Sequence, residues 1–405
     1  MMTDREIRFI REHLSEDIHG LALGKHNYPG IDVPKCLLQI EGLRKIKNKV
    51  PEWYACTQVF IPSTQAAEQA SSAETARYKW RFLKEPGTVV DMTGGLGVDA
   101  YYFAATNKHV VYAEQDAGLC RAASHNFRVL GAGDRIQVMQ ADAQRLWDPG
   151  NRLPDADLVY ADPSRRTAAG TRIRGIAGYS PDVTRLATTV LKQAPVFLIK
   201  ISPLEDIVHT LRLFPQTSEI HVLSRENECK ELLFLLKREK KAEASPLLVC
   251  SGGFSFRLQE EQQAAATVSR ERNYGEIKEG HFLHEPEVSL LKAGAFALPV
   301  VRFGVQKIHG NSHLYVSSTP AVSFPGRSFR VHEIIPFTSS NLRQLALRYP
   351  RANMTVRNFP LSVEQWRKKT GIRDGGTDTL IGTTAYIAGK EVRIMIYATK
   401  WEETI

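Results

Sequence analysis

The sequence predicts an α/β protein: a mostly parallel, doubly wound sheet with a helical segment before it and small α+β modules after it. Three observations carry that expectation. Short apolar runs alternate with helix-length segments between residues 88 and 240, the pattern of strands joined by crossover helices. A glycine-rich turn follows directly on the first run, where such sheets bind their ligands. The length, 405 residues, exceeds the ~250 at which a single core stops growing, so further modules are expected.

Hydrophobic residues make up 43% and charged residues 24%, ordinary values that exclude fibrous and disordered classes. The longest apolar runs, such as Leu232–Leu236, fall far short of the ~20 residues that a bilayer helix needs. Charge begins at Asp4, and the expectation is a soluble cytoplasmic protein with no membrane contact and no obligate protein partner. Five cysteines (Cys36, Cys56, Cys120, Cys229, Cys250) are scattered without a Cys-x-x-Cys pair, which suits a reducing compartment and argues against structural zinc. His281-x-x-His284-Glu285 lacks the His-Glu-x-x-His arrangement and a nearby third ligand, so no metal is expected.

Taken in order, residues 1–85 read as helical: Ile7, Phe9, Ile10 and Leu14 recur at helical spacing, and a further helix spans Ser72 to Leu83 before the Pro86-Gly87 break. Strands follow at Val89–Val90, Val110–Tyr112, Ile136–Met139, Leu158–Tyr160, Val196–Ile199, Ile220–Leu223 and Leu232–Leu236. Only Ser224–Glu231 separates the last two, too little for a crossover helix, so an antiparallel closing hairpin is expected over 86–240. Residues 241–276 read as a polar linker. Strand-like runs return at Leu298–Phe303, His313–Val316, Thr383–Ile387 and Val392–Tyr397, with helices at Asn341–Tyr349 and Ser362–Thr370.

The most informative stretch runs from Val89 to Ala100, in which an apolar strand meets Asp91, then Met92-Thr93-Gly94-Gly95-Leu96-Gly97-Val98-Asp99, then a helix. Glycines let the backbone turn tightly and approach a ligand, and the helix start beyond them offers free amide donors. Gly95-x-Gly97-x-x-Ala100 also satisfies the dinucleotide fingerprint. Asp91 discriminates, because an acid at the strand end repels a pyrophosphate and suits the ammonium of S-adenosylmethionine. Glu114 ends the second strand and can accept ribose hydroxyls; Asp142, followed by Ala143, comes after the third and can accept an adenine amine.

Over roughly residues 86–240 the chain resembles class I S-adenosylmethionine-dependent methyltransferases. Asp91-x-x-x-Gly95-x-Gly97 matches the family's first motif, Glu114 its ribose-binding acid and Asp142 its adenine-binding acid. The resemblance implies a Rossmann-like seven-stranded sheet with an antiparallel last strand, and S-adenosyl-L-methionine held by Asp91, Thr93, Gly94, Gly95, Gly97, Asp99, Glu114, Asp142 and Ala143.

After the fourth strand, Asp162-Pro163-Ser164-Arg165 resembles the Asp/Asn-Pro-Pro-aromatic and Asp-Pro-x-Arg signatures of methyltransferases acting on nitrogen in nucleic acid bases. An exocyclic amine must be held by acceptors while its lone pair faces the methyl group, and the Asp162 carboxylate and Pro163 carbonyl are such acceptors. Ser164 and Arg165 replace the Pro-aromatic pair that clamps a flat base; Arg165 is suited to stacking on a base or gripping a phosphate. Arg165, Arg166, Arg172 and Arg174 lie in a stretch without an acid, and Lys200 follows the fifth strand, all candidates for a nucleic acid backbone. Ser72 and Thr75 stand at a helix start, where an N-cap is the simpler role for Ser72 and a place over the cofactor the other. No cysteine sits in the Asp162 loop, so a thiol nucleophile is not expected.

Net charge is +9, and its excess is local: residues 341–373 hold Arg343, Arg348, Arg351, Arg357, Arg367, Lys368, Lys369 and Arg373 against Glu364 alone. The segments Ala352–Ser362 and Trp366–Gly376 resemble the THUMP-like domain of a group of bacterial methyltransferases, in which a ferredoxin-like module precedes it. That resemblance implies a ferredoxin-like module over 277–325, a THUMP-like one over 326–405, and binding to structured RNA. Independently, the basic residues mixed with Tyr349, Phe359 and Trp366 suit phosphate contact with base stacking, or else a packed core beneath a solvated face. The expected function is a methyltransferase acting on a base nitrogen of rRNA or tRNA. The rivals are a methyltransferase of DNA, protein or a small molecule, an RNA-binding protein with a vestigial cofactor site, and an NAD enzyme.

Overall fold

The computed structural model describes residues 2–402 except 25–27, 84–86, 106–108, 149, 152, 166–174, 241–243 and 272–273. The chain divides into two units, residues 1–218 with 233–244, and residues 219–232 with 245–405.

The first unit opens with six helices: α1 (Asp4–Glu12), α2 (Ile18–Leu23), α3 (Val33–Ile46), α4 (Pro51–Ala55), α5 (Thr64–Gln69) and α6 (Ala73–Tyr78). Their starts are set locally, since Thr3, Asp17, Asp32, Ser63 and Ser72 each accept a hydrogen bond from a backbone N–H in the first turn. Phe9, Ile10, Ile40, Leu43, Ile46 and Trp53 form their buried faces. Ser72 is thus the N-cap of α6, and the expected helix to Leu83 ends in a 3-10 turn over Lys79–Phe82.

Strands and helices then alternate: β1 (Thr88–Asp91), α7 (Val98–Ala104), β2 (His109–Glu114), α8 (Ala117–Val129), β3 (Ile136–Gln140), β4 (Leu158–Ala161), α9 (Val183–Gln193), β5 (Val196–Ile201), α10 (Ile207–Leu213), β6 (Thr217–Arg225) and β7 (Glu228–Lys237). The first five strands run parallel in the order β3-β2-β1-β4-β5. Val89, Val90, Val110, Val111, Leu158 and Val159 have no exposed surface, as continuous apolar runs require of a sheet covered on both faces. The order reverses between β1 and β4, so the ligand crevice of such a sheet lies at their carboxyl ends. Glu226 and Asn227, both with positive φ, form the two-residue turn that joins β6 to β7, the hairpin expected from the sequence. It does not close the sheet, which corrects the expected seven strands: the strand Leu247–Cys250 pairs with β6 and Ser255–Arg257 follows it, making nine.

The second unit adds β8 (Leu247–Cys250), β9 (Ser255–Arg257), α11 (Leu258–Glu271), β10 (Phe282–Pro286), α12 (Val288–Ala293), α13 (Leu298–Phe303), β11 (Gln306–Lys307), β12 (Tyr315–Ser317), β13 (Gly326–Pro336), α14 (Ser339–Arg348), β14 (Asn353–Arg357), α15 (Val363–Thr370), β15 (Asp378–Ile387) and β16 (Lys390–Trp401). Two expectations are corrected here. Residues 241–276 are no mere linker, because β8, β9 and α11 occupy most of them. Leu298–Phe303 is a helix rather than a strand, started by Pro299 in its first turn and stopped by Gly304 in the left-handed conformation. A short apolar run does not tell helix from strand by periodicity alone.

Residues on both sides of position 326 share one seven-stranded sheet, ordered β11-β12-β10-β13-β16-β15-β14, in which β10 pairs with β13. Leu283, Val316, Phe329, Ile381 and Ile396 belong to one core against it. The expected ferredoxin-like and THUMP-like segments are therefore continuous in structure.

Trp366 and Tyr349 are buried, and Phe359 packs against them in a second core with Leu345, Ile372 and Met395. This corrects the stacking role expected of these aromatics: their rings are inside. No helix among the described residues is long and apolar enough to cross a membrane.

Candidate functional site

The glycine turn is built by packing as much as by backbone freedom. Gly94 lies against the Tyr112 ring of β2, where an added Cβ would stand 2.2 Å from Cε2. Gly97, at φ +92°, would place its Cβ 2.7 Å from Cζ of Phe127 on α8. The Tyr112 hydroxyl donates to the Gly95 carbonyl at 2.6 Å, and the Gly94 N–H donates to Ala113 at 2.9 Å, so the turn is pinned to β2. Gly94→Ala is expected to cost about 1–3 kcal/mol in a urea titration, because the ring is too deeply packed to yield. Gly95 differs: its nearest neighbour to an added Cβ is 3.8 Å away, which leaves that side open to a ligand.

Glu114, half-buried at the end of β2, accepts the Gly95 N–H at 3.0 Å through Oε2 and the Asp116 N–H at 2.9 Å through Oε1. Asp142 is exposed beyond β3 and accepts the Gln144 N–H at 2.9 Å; Ala143 beside it is half-buried.

Asp91 is buried, and its carboxylate accepts a hydrogen bond from the Thr93 N–H at 3.1 Å. Burial, reinforced by the nearby charges of Asp99 and Asp162, pushes its carboxyl well above the usual carboxylate range. Asp99 has the opposite setting. Lys79 Nζ lies 2.8 Å from its Oδ1, while the Ser71 and Tyr160 hydroxyls donate to Oδ2 at 2.7 and 3.1 Å. Burial alone would raise Asp99, but Lys79, then Lys200 and these hydrogen bonds, outweigh it and hold the carboxyl below its ordinary value. Its oxygens thus accept from three protein side chains.

Asp162 follows β4. Its N–H donates to Thr93 Oγ1 at 2.7 Å, tying the loop after β4 to the glycine turn after β1. Its Oδ2 lies 2.7 Å from Nζ of Lys200, the expected backbone-contact candidate, which is thus the ion-pair partner of Asp162. Pro163 is buried, and Ser164 exchanges backbone hydrogen bonds of 2.8 and 3.1 Å with Ser180. Arg165 is exposed and donates to Ser202 Oγ at 2.6 Å. Arg166, Arg172 and Arg174 lie outside the described residues.

Sequence reasoning missed Lys79 and Tyr160. Lys79 stands in an ordinary basic segment, and nothing local marks it as a fully buried partner of a residue twenty positions away. Burial raises the Cys120 thiol and pushes that of Cys229 up to about 11. His284 is buried between the Ser328 and Ser317 hydroxyls, each 2.8 Å away, and burial lowers it to about 4. Among the described residues no group of three or more His, Cys, Asp or Glu side chains is placed to hold a metal.

In the second unit, several basic candidates are engaged within the fold. Arg348 forms a bidentate pair with Glu333, Arg357 pairs with the buried Glu285, and Arg367 donates to the Ala352 and Ile372 carbonyls and to Asp374. Arg351 donates to the Asp374 carbonyl at 2.9 Å. Lys368 and Lys369, in the last turn of α15, are exposed and have no partner among the described residues.

Comparison with known proteins agrees with this arrangement. Residues 282–325 match a family described as a ferredoxin-like domain, and residues 326–400 one described as THUMP domain-like. A methyltransferase of Porphyromonas gingivalis W83, known by its crystal structure, is 31% identical, with a TM-score of 0.82 over 99% of this chain and 100% of that one. Ribosomal RNA small subunit methyltransferase J of Hahella chejuensis is 32% identical over 115 residues, or 26% of this chain. The match spans less than half of that relative, 44% of its length.

Proposed function

The chain belongs to the S-adenosylmethionine-dependent methyltransferase family that includes the Porphyromonas gingivalis protein, and from that premise we propose that it methylates RNA, at an exocyclic amine of an rRNA base. The observation that carries the reading is the 2.7 Å bond from the Asp162 N–H to Thr93 Oγ1. It ties the loop that would supply acceptors for a substrate amine to the turn that would hold the cofactor.

The residues present fit the cofactor. A buried carboxylate with no ion-pair partner among the described residues suits its positive groups, Gly95 leaves an open side, and Glu114 and Asp142 stand at or just beyond the ends of β2 and β3. When bound, S-adenosylmethionine supplies a methyl group on a sulfonium sulfur. Asp91, Gly95, Glu114 and Asp142 would bind it, with Thr93, Gly94 and Gly97 shaping the turn. Lys200 holds Asp162 Oδ2, which leaves Oδ1 to accept an amine N–H together with the Pro163 carbonyl. The two acceptors orient the nitrogen lone pair, and the carboxylate is placed to take the proton that the methylated nitrogen sheds.

RNA as substrate is supported by the THUMP-like region and by the rRNA-acting relative, whose name favours rRNA over tRNA. The decisive experiment is nucleoside mass spectrometry of total RNA from a deletion strain and its parent, with loss of one methylated nucleoside expected. An unchanged profile would refute the RNA assignment.

The basic residues of the second unit divide by structure. Lys368→Ala with Lys369→Ala is expected to weaken RNA binding and to lower the slope of log affinity against log salt by about 2. Arg348→Ala is expected to act on stability instead, because it unpairs Glu333. Filter binding over a salt series, beside thermal melts, separates the two.

A further inference from the structure

Three rings of the second unit share nearly one orientation: Tyr274, Tyr386 on β15 and His309 just after β11. Their planes differ by 19–20°, with ring centres 4.6 Å apart for Tyr274 and Tyr386, 5.1 Å for His309 and Tyr386, and 6.2 Å for Tyr274 and His309. Rings on opposite faces of Tyr386 would stand about 7 Å or more apart, two van der Waals separations, so Tyr274 and His309 lie side by side over the same face. His309 is buried and Tyr386 half-buried, whereas Tyr274 is 41% exposed. One face of Tyr274 rests on Tyr386, which leaves the other to solvent. Ring pairs elsewhere in the unit, such as Phe337 with Phe359 and Phe282 with Trp401, meet at 63° and 80°, the edge-to-face contact.

The three rings are fixed by their surroundings. His309 Nδ1 accepts the Asn311 N–H at 3.0 Å, and its Nε2 donates to Glu391 Oε2 at 3.1 Å. The Tyr386 N–H donates to the Ile308 carbonyl at 2.9 Å. Directly after Tyr274, the Gly275 N–H donates to the Lys307 carbonyl at 2.8 Å, and Glu276 Oε1 accepts the Ala388 N–H at 3.2 Å from the turn between β15 and β16. The hydroxyls of Tyr274 and Tyr386 have no hydrogen-bond partner among the described residues. In the β15–β16 register Tyr386 stands opposite Glu391, the acid that turns to His309, and Arg393, two residues on, shares that face; Lys390 starts β16 at the hairpin end. Both cations are exposed and have no ion-pair partner among the described residues.

We propose that these rings form a stacking site for an unpaired RNA base, which lies on the open face of Tyr274 while Arg393 and Lys390 meet the adjoining phosphates. The proposal rests on RNA as the substrate and deepens that reading by naming where the second unit grips a single-stranded segment. Every base has a π-face, so stacking tolerates any sequence, and a ring already fixed in place loses little freedom on binding. Tyr349, Phe359 and Trp366, the aromatics of the basic segment, pack into a core and leave this role to rings elsewhere. An apolar protein partner would leave two phenol hydroxyls and two cations unmatched, and a bare phosphate would leave the ring face uncovered. An unpaired nucleotide supplies a flat base, hydrogen-bonding edges and a phosphate together.

The test is filter binding of the full-length protein to small-subunit rRNA from a deletion strain, over a salt series and beside thermal melts. Tyr274→Ala is expected to weaken binding roughly five- to hundredfold at every salt concentration and to leave the slope of log affinity against log salt unchanged, since the ring neutralises no phosphate. Lys390→Ala with Arg393→Ala is expected to lower that slope instead, by about 2. Tyr274→Trp keeps a flat ring and is expected to bind within about threefold of wild type. Tyr274→Leu keeps apolar bulk without a π-face and is expected to bind as weakly as the alanine variant. In methyl transfer the alanine and leucine variants are expected to raise KM for RNA and to leave affinity for S-adenosylmethionine unchanged. Wild-type RNA affinity in Tyr274→Leu overturns the proposal and leaves the rings to a protein partner; a tryptophan variant as weak as the leucine one overturns it too. If the alanine variant fails to fold, the leucine and tryptophan variants decide. Failure of the wild-type protein to bind the rRNA overturns the RNA reading itself, a different result from binding that ignores Tyr274.

Discussion

Asp162→Ala is expected to lower methyl transfer to RNA by roughly 10²–10⁴-fold while leaving affinity for S-adenosylmethionine within a fewfold. The split follows from where the residue stands. Its backbone N–H, which the substitution keeps, makes the bond to Thr93 that supports the glycine turn. Its carboxylate, which the substitution removes, makes no bond to that turn and serves the substrate side with Pro163. The loss also strands Lys200, whose ammonium is only partly exposed, with a side-chain exposure of 16%. Asp162→Asn tests the point more finely: it keeps an acceptor oxygen but removes the charge, and is expected to recover part of the activity. Transfer of tritiated methyl groups into RNA from a deletion strain, beside calorimetry of the cofactor, reads both quantities. An alanine variant with full activity would remove Asp162 from the mechanism.

Lys79→Met carries the largest expected effect on stability, a loss of about 3–5 kcal/mol, because it leaves a buried carboxylate without its cation. Lys79 has no exposed surface, and its ammonium also lies 5.2 Å from the centre of the Tyr160 ring. The double variant Lys79→Met with Asp99→Asn is expected to regain most of the loss, since neither charge then remains to be buried. Urea titrations of the single and double variants measure this, and equal stabilities would mean that Asp99 does not depend on Lys79. The sign with pH is fixed as well. The folded carboxyl of Asp99 is held below its ordinary value, so the pair stabilises fully at neutral pH and loses its contribution as the pH falls through the folded value.

Much of the catalytic sheet was legible in the sequence because its signals are local. Strands buried on both faces must be apolar throughout, so Val89–Val90, Val110–Tyr112 and Leu158–Tyr160 stand out against the helices between them. The glycine turn was legible because Gly94 and Gly97 are required by rings that leave no room for a Cβ. Where the reading failed, the deciding contact was distant or the run was short. Leu298–Phe303 is six residues of apolar sequence that fits either period. Trp366 has lysines and arginines on the adjoining positions, and only its side of α15, packed against Leu345 and Met395, shows that it belongs to a core.

The sequence by itself determined the alternation of strands and helices, the turn after β1 and the row of acids at successive strand ends, since each depends on residues within a few positions of one another. Only the tertiary structure decided which acids are paired. Asp99 meets Lys79 across twenty positions and Asp162 meets Lys200 across thirty-eight, while Asp91 meets no cation among the described residues. Charge on a side chain is written in the sequence; the partner that neutralises it, and the burial that makes its absence costly, exist only once distant segments share a space too small for water.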